Sequence, residues 1–233
     1  SITGGEIFST VANNYGFSNI KGIIKNQYEG QIDTGKMMTT LTLLAQELGI
    51  IIINNTTVLN IEDNNHNVEV TTSSTTPLFP KKVVIATNGF AKELLNIDVE
   101  PARAQVVITK PIENLPFKGT FHYDKGYYYF RNIHNRVLLG GGRNLDFEGE
   151  KTTSLENTSL IINKLTQLLD EVILPGTNYE IDYSWAGVMG VGNTKHSIVK
   201  HSSNNIVCAV RMGGMGVAIG SLIGKEAAEL INE

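Results

Sequence analysis

The sequence predicts a mixed α/β (α+β) fold in which α/β material is interleaved with an antiparallel β-sheet. Two apolar runs of strand length, Val83-Val84-Ile85-Ala86 and Ile206 to Val210, each lead through a turn into a helical pattern, as the layers of an α/β unit do. Between them, from Ala102 to Gly142, strand follows strand across short polar turns, the pattern of an antiparallel sheet. With 233 residues, 41% of them hydrophobic, the chain can bury a core as one large domain or two smaller ones.

In order along the chain, Glu6 to Tyr15 is weakly helical and Gly16 to Gly30 is loop-like. Asp33 caps a helix whose Met37, Leu41, Leu44, Ala45 and Leu48 fall on one face, ended by Gly49. A short strand, Ile50 to Ile53, is expected next. Val58 to Glu62 and Asn67 to Thr72 read as strands joined by the turn Asp63-Asn64-Asn65-His66. Lys81 to Thr87 suits a strand buried on both faces, with a short helix from Ala91 to Leu95 after it. The sheet strands are expected at Gln105 to Thr109, Thr120 to Tyr123, Gly126 to Arg131 and Arg136 to Gly140. Ser154 opens a long helix that buries Ile161, Leu165, Leu168, Leu169 and Val172 and stops at Pro175-Gly176. Tyr179 to Val188 and Ser197 to His201 return as strands.

Charge and composition exclude several classes. A formal charge of -4 makes no electrostatic case for nucleic acid or an anionic membrane surface, and no run of apolar residues is long enough to span a bilayer. The lone Cys208 excludes an intrachain disulfide and reads as a small buried hydrophobe; a cytoplasmic setting is expected. The five histidines lack metal-ligand spacing, so no metal site is expected, and no Gly-x-Ser-x-Gly elbow is present. Asp124, Asp146 and Asp182 lie near strand ends and are either acid–base candidates or, as the reading favours, turn or solvated residues. The opening Ser1-Ile2-Thr3-Gly4-Gly5 lacks an initiator Met, a hint that a longer natural chain exists.

Ligand candidates cluster at two turns. Arg211-Met212-Gly213-Gly214-Met215-Gly216 joins the last strand to the last helix, where glycines admit close approach and helix-start N–H groups favour negative charge. It is not a Rossmann fingerprint, because the second strand and the acidic residue about 20 positions on have no room in the sequence. Gly216, Gly220 and Gly224 share one helix face, which suits close packing on a sheet or ligand. Thr87-Asn88-Gly89 ends a strand, where open α/β sheets place ligands, and is either a cofactor contact or an ordinary turn. In the aromatic run, Tyr127 and Tyr129 share one strand face and Tyr128 and Phe130 the other, so one face is core and the other is free to line a substrate pocket. Gly140-Gly141-Gly142-Arg143 reads as a strand end or bulge rather than a phosphate loop.

Six ordered blocks carry a resemblance: Gly30-Gln31-Ile32-Asp33-Thr34-Gly35-Lys36-Met37, Val83 to Asn88, Pro101-Ala102-Arg103-Ala104-Gln105, Leu138 to Gly142, Trp185-Ala186-Gly187-Val188-Met189-Gly190, and the terminal glycine turn. Together they resemble the FAD-dependent D-amino acid oxidase superfamily, in the branch of glycine, sarcosine and gamma-glutamylputrescine oxidases. The resemblance implies a partial FAD-binding Rossmann-like region at 1–100, an antiparallel-sheet substrate region at 101–200, and a return to the FAD-binding region at 201–233. The amino-terminal fingerprint that holds the FAD pyrophosphate in that family is missing here. The resemblance further implies FAD contacts at Val58, at Ala86, Thr87 and Asn88, and along Gly213, Gly214, Met215, Gly216 and Val217.

The implied reaction passes a hydride to flavin from the carbon beside an amine, giving an imine that water hydrolyses. The substrate is then a small-molecule amine or amino acid, with Tyr127, Tyr129, Met189 and Arg211 as candidate contacts. Met189 stands where several relatives carry a carboxylate-binding arginine, and the usual serine and histidine of the terminal turn are replaced. The alternative is a non-catalytic module of the same fold without flavin. FAD is not expected to be retained by this chain alone.

Overall fold

The computed structural model describes residues 6–233; the opening Ser1-Ile2-Thr3-Gly4-Gly5 lies outside them. The chain divides into two compact units that alternate along the sequence: the first comprises residues up to 33, 104–150 and 155–187, the second 34–103, 151–154 and 188–233. Residues 6–33 group with the sheet of the first unit.

The first unit begins with a hairpin of β1 (Phe8–Val11) and β2 (Ile23–Asn26), paired antiparallel from Phe8↔Asn26 to Val11↔Ile23. The weak helix expected at Glu6 to Tyr15 is therefore a strand: the β-branched and aromatic residues Phe8, Thr10 and Val11 favour extended backbone once a partner supplies the ladder.

In the second unit the helix α1 (Thr34–Glu47) forms where expected and ends at Gly49, which takes φ +81. The Gly49 N–H donates to the Gln46 carbonyl at 2.9 Å and that of Ile50 to Ala45 at 3.0 Å. Its predicted apolar face is not buried, however, and Leu41, Leu44 and Leu48 are exposed. Ile50 to Ile53 forms no strand and is also exposed, because no described strand lies beside it to complete a ladder.

The strands β3 (Val58–Asp63) and β4 (Val68–Thr72) pair as an antiparallel hairpin. The strand β5 (Val83–Ile85) runs into a 3₁₀ turn at Asn88–Phe90 and the single turn α2 (Ala91–Leu94). The antiparallel sheet comprises β6 (Glu100–Thr109), β7 (Thr120–Tyr123), β8 (Tyr128–Ile133) and β9 (Arg136–Gly141). β10 (Ile181–Val191) completes it, in the order β10-β6-β9-β8-β7.

One face of that sheet is the first core. Val107, Leu139, Phe130 and Phe121 lie in register across it, and Phe17 and Phe117 meet Phe121 and Phe130 edge-on at 5.0–5.8 Å. The helix α3 (Ser159–Leu168) and a π-turn at Leu169–Ile173 cover it with Ile161, Leu165, Leu168, Leu169 and Val172, the five positions the periodicity selected. The helix begins five residues later than Ser154. The N–H of Thr158, its N-cap, donates to the Gln105 side-chain oxygen at 2.7 Å, while Gln105 Nε2 reaches both oxygens of buried Glu150 at 3.0 Å. The buried amide thus sets the helix start.

The second core belongs to the other unit. β11 (Ile198–Ser203), β12 (Ile206–Val210) and β5 form a three-stranded sheet in that order, β12 antiparallel to β11 and parallel to β5. β12 is buried throughout. Ile206, Cys208 and Val210 pack with Val68, Val70 and Ile85 on one face, and Val207 and Ala209 pack against Ile223 and Ala227 of the terminal helix α4 (Gly216–Leu230) on the other. β5 differs from the expectation of a strand covered on both faces, since Ile85 is buried while Val84 is 41% exposed. The β3–β4 turn is tied to the β11–β12 turn by Asp63. Its carboxylate accepts hydrogen bonds from Ser203 Oγ at 2.5 Å and from Asn205 N and Nδ2 at 2.9 Å, which hold it well below the usual carboxylate range.

Candidate functional site

Three stretches of the second unit converge at the carboxyl ends of β5 and β12: the turn at 86–90, the end of β10, and the glycine turn before α4. Asn88, at φ 49, turns its side chain so that Oδ1 accepts the Met212 N–H at 3.2 Å. The Gly213 N–H donates to the Gly190 carbonyl at 3.0 Å. Two glycines make this approach possible. A methyl group on Gly89 would come within 2.5 Å of the Met189 carbonyl oxygen, and one on Gly190 within 2.6 Å of Asn88 Oδ1. In the sequence Gly89 reads as part of a turn at a strand end, and Gly190 enters only within a block of the resemblance; for Gly190, a glycine inside a strand pattern is the signal of close backbone approach.

The turn itself is open. Gly213 and Gly214 take positive φ, 57 and 85, and a substituent on Gly213 would meet nothing within 4 Å. Met215 and Val217 are exposed, and the N–H groups of Gly216 and Val217 stand in the first turn of α4, where no intrahelical acceptor exists. Met189 packs from the side, its sulfur 3.2 Å from where a Gly214 substituent would lie. Ala86 and Thr87 are exposed at the same strand end, and the Thr87 carbonyl accepts the Phe90 N–H at 3.1 Å. Val58 is elsewhere: it opens β3 opposite Thr72 and packs on the second core. The structure therefore brings Asn88, Met189 and Gly213–Val217 together, with Ala86 and Thr87 beside them, and leaves Val58 apart.

Arg211 is bound up within the protein. It is buried at φ 63, and each guanidinium nitrogen has a protein acceptor: Nε donates to the His196 carbonyl at 2.8 Å, Nη2 to Thr194 Oγ1 at 3.0 Å, and Nη1 to the Asp98 carbonyl at 2.9 Å and carboxylate at 2.6 Å. Asp98 in turn accepts from Asn193 Nδ2 at 3.1 Å. The arginine fastens the loop after β10 to the segment before β6, with four of its five N–H donors committed to protein acceptors.

In the first unit, the face of the sheet opposite the aromatic core carries Tyr129, flanked by His122 on β7 and Gly140 on β9. Its ring lies against Gly140, where a methyl group would come within 2.5 Å of the hydroxyl oxygen, and burial raises the hydroxyl pKa. Tyr127 belongs to the turn before β8 and meets Phe147 edge-on at 6.3 Å, so it does not join Tyr129. Gly140-Gly141-Gly142 is a strand end: Gly141 and Gly142 take φ 123 and 83, and a methyl on Gly141 would come within 2.1 Å of the Tyr127 carbonyl oxygen. Asp182 pairs with Arg136, and Asp146 accepts the Gly149 N–H at 2.8 Å. Among the described residues no cluster of His, Cys, Asp or Glu is placed to hold a metal, and no helix is long and apolar enough to cross a membrane.

The fold is mixed α/β in two interleaved units, with an antiparallel sheet in one and a glycine turn closing a parallel strand pair in the other. Residues 6–230 match the family model described as DAO, FAD dependent oxidoreductase, and the chain belongs to that family. Among solved structures it is similar to L-proline dehydrogenase from P. horikoshii, at 22% identity and TM-score 0.73, over 92% of this chain and 59% of that one. It is also similar to glycine oxidase from Geobacillus kaustophilus, at 18% identity and TM-score 0.75, over 91% and 57%, and to glycine oxidase from Bacillus cereus, at 18% and 0.74, over 91% and 59%. The chain thus spans under two thirds of each of these relatives. No curated protein matches it in sequence.

Proposed function

We propose that this chain is the greater part of an FAD-dependent oxidoreductase acting on an amine or amino acid, with Gly213–Val217 as the element that faces the flavin. The observation that carries the reading is the anchoring of that turn. Asn88 and the Gly190 carbonyl take the N–H groups of Met212 and Gly213, which holds the following glycines rigid and turned outward. The residues fit a flavin ring: two positive-φ glycines without side chains admit a flat group, and the helix-start N–H groups of Gly216 and Val217 favour the negative charge such a ring gains on reduction. When bound, the flavin supplies the acceptor for a hydride from the carbon beside the substrate nitrogen.

The chain's own residues do the positioning. Met189 holds Gly214 in place and offers an apolar contact rather than a cation, so a substrate carboxylate is not gripped at this position. On the first unit Tyr129, whose hydroxyl is a neutral donor as tyrosines ordinarily are, is a candidate hydrogen-bond donor to substrate. Ala86, Thr87 and Asn88 would border the nucleotide, and Val58 would lie toward the adenine. We infer that the chain alone holds FAD weakly, because no glycine fingerprint with an acidic residue about 20 positions on occurs among its elements.

The flavin-loaded protein is mixed anaerobically with a panel of amines and amino acids, and bleaching of the flavin absorbance by at least one is expected. Failure of every member would overturn the oxidoreductase reading. Stoichiometric yellow flavin in the purified 233-residue chain would refute the inference of weak retention.

A further inference from the structure

The first unit carries a cleft of about 710 Å³, walled on one side by residues 22–26 and on the other by residues 118–123. β2 pairs with β1 and β7 with β8, and among the described residues no ladder joins β2 to β7. The walls are nonetheless fixed. Ahead of β2, the Ser18 N–H donates to the Val172 carbonyl and Asn19 Nδ2 to that of Glu171, both at 3.0 Å; beyond it, Gln31 Nε2 reaches the Asn132 carbonyl at 2.5 Å. The lining is aromatic at Tyr15, Phe17, Phe121 and Phe130, with Phe121 stacked on Phe130 at 4.9 Å and Tyr15 edge-on to Phe121 at 5.6 Å. Alternation along β2 puts Lys25 on the face of Ile23, which packs on that same cluster. Lys118 stands on the opposite wall, and neither ammonium group has a carboxylate or other acceptor among the described residues.

We propose that this cleft binds a small aromatic carboxylate, its ring seated on the Phe17, Phe121 and Phe130 cluster and its charge met by Lys25 and Lys118. The volume lies within the roughly 300–1,000 Å³ of small-ligand sites. Rings packed edge-on and offset leave edges and faces that a further ring satisfies better than an aliphatic chain does. The sign of the ligand follows from the lining, where two lysines stand against a single acid, Glu29. A lysine lays its methylene stem along an apolar wall and keeps its ammonium at the rim, so a carboxylate is met at the mouth without burying a charge. β7 adds the N–H groups of its unpaired edge, further donors for an anion. Phe121 and Phe130 lie on the face of the sheet opposite Tyr129, so the proposal does not rest on the flavin reading.

The test titrates the full 233-residue chain, without flavin, with naphthoate, whose own fluorescence reports binding. Saturable one-to-one binding is expected, with slowed amide hydrogen exchange in β2 and β7. Naphthylmethanol, the same ring without the charge, should bind at least about tenfold more weakly. The double variant Lys25→Met with Lys118→Met should lose about the same factor for naphthoate and keep its melting temperature, since both side chains are exposed, and Lys25→Arg with Lys118→Arg should retain binding. Any of four results would overturn the proposal: no saturable binding, naphthylmethanol or laurate binding as tightly as naphthoate, methionine variants that bind as well as the parent, or protection confined to α4. The readout needs no flavin. Its failure leaves the flavin reading untouched, and a failed flavin assay alongside intact naphthoate binding counts against the flavin reading alone.

Discussion

Replacing Arg211 by methionine should unfold the second unit's terminal turn from its anchor and lower stability by about 3 kcal/mol. The figure comes from the two backbone carbonyls that lose a charged donor, those of His196 and Asp98, each bond to a charged group being worth about 1.5–3 kcal/mol and taken here at the lower end. The ion pair itself adds little, since the Asp98 side chain is 41% exposed and screened by solvent. For a chain of this length such a loss moves the melting temperature by about 6–12 °C. Calorimetry reads it directly, and Arg211→Lys should recover only part, because a single ammonium cannot reach three acceptor residues. A variant that melts with the parent but loses ligand affinity would refute the clamp and restore a substrate role.

The Asp63 carboxyl, depressed by its bonds to Ser203 and Asn205, should stabilise the fold fully above its unfolded value, roughly 4, and lose that contribution as pH falls toward its folded value. Denaturation midpoints measured from pH 6 downward should fall more steeply for the parent than for Asp63→Asn; parallel slopes would remove Asp63 from the account. Gly141→Ala, which drives a methyl into the Tyr127 carbonyl at positive φ, should cost upward of about 3 kcal/mol, read by urea denaturation. Gly140→Ala meets only the end of the Tyr129 side chain, so it should cost about 1 kcal/mol and let the Tyr129 hydroxyl titrate nearer its ordinary value in an ultraviolet titration referenced to Tyr129→Phe.

What the sequence disclosed follows from what periodicity encodes. In α3 and the π-turn after it, the five positions that the apolar spacing named are all buried in the first core, because a helix facing one sheet has a single direction to bury. In α1 the same spacing named a face but not what covers it, and Leu41 and Leu44 are exposed. Phe8 to Val11 was misread because a four-residue strand carries too little period to compete with local helix propensity. The glycine turn was legible as a ligand element, yet its supports were not. Asn88 lies 124 residues from Met212, and Asp98 lies 113 from Arg211, so neither pairing leaves a local trace. Arg211 looked available because its neighbours in sequence offer it no partner.

Cys208 sits at the middle of β12, with strands on both sides and side chains packed over both faces, and it is the protein's one thiol. It is therefore a built-in clock. A thiol reagent in solution reaches it when the sheet separates, and the labelling rate measures how often the second unit opens. Anything that grips β5, whatever its chemistry, should slow that clock without touching the sulfur.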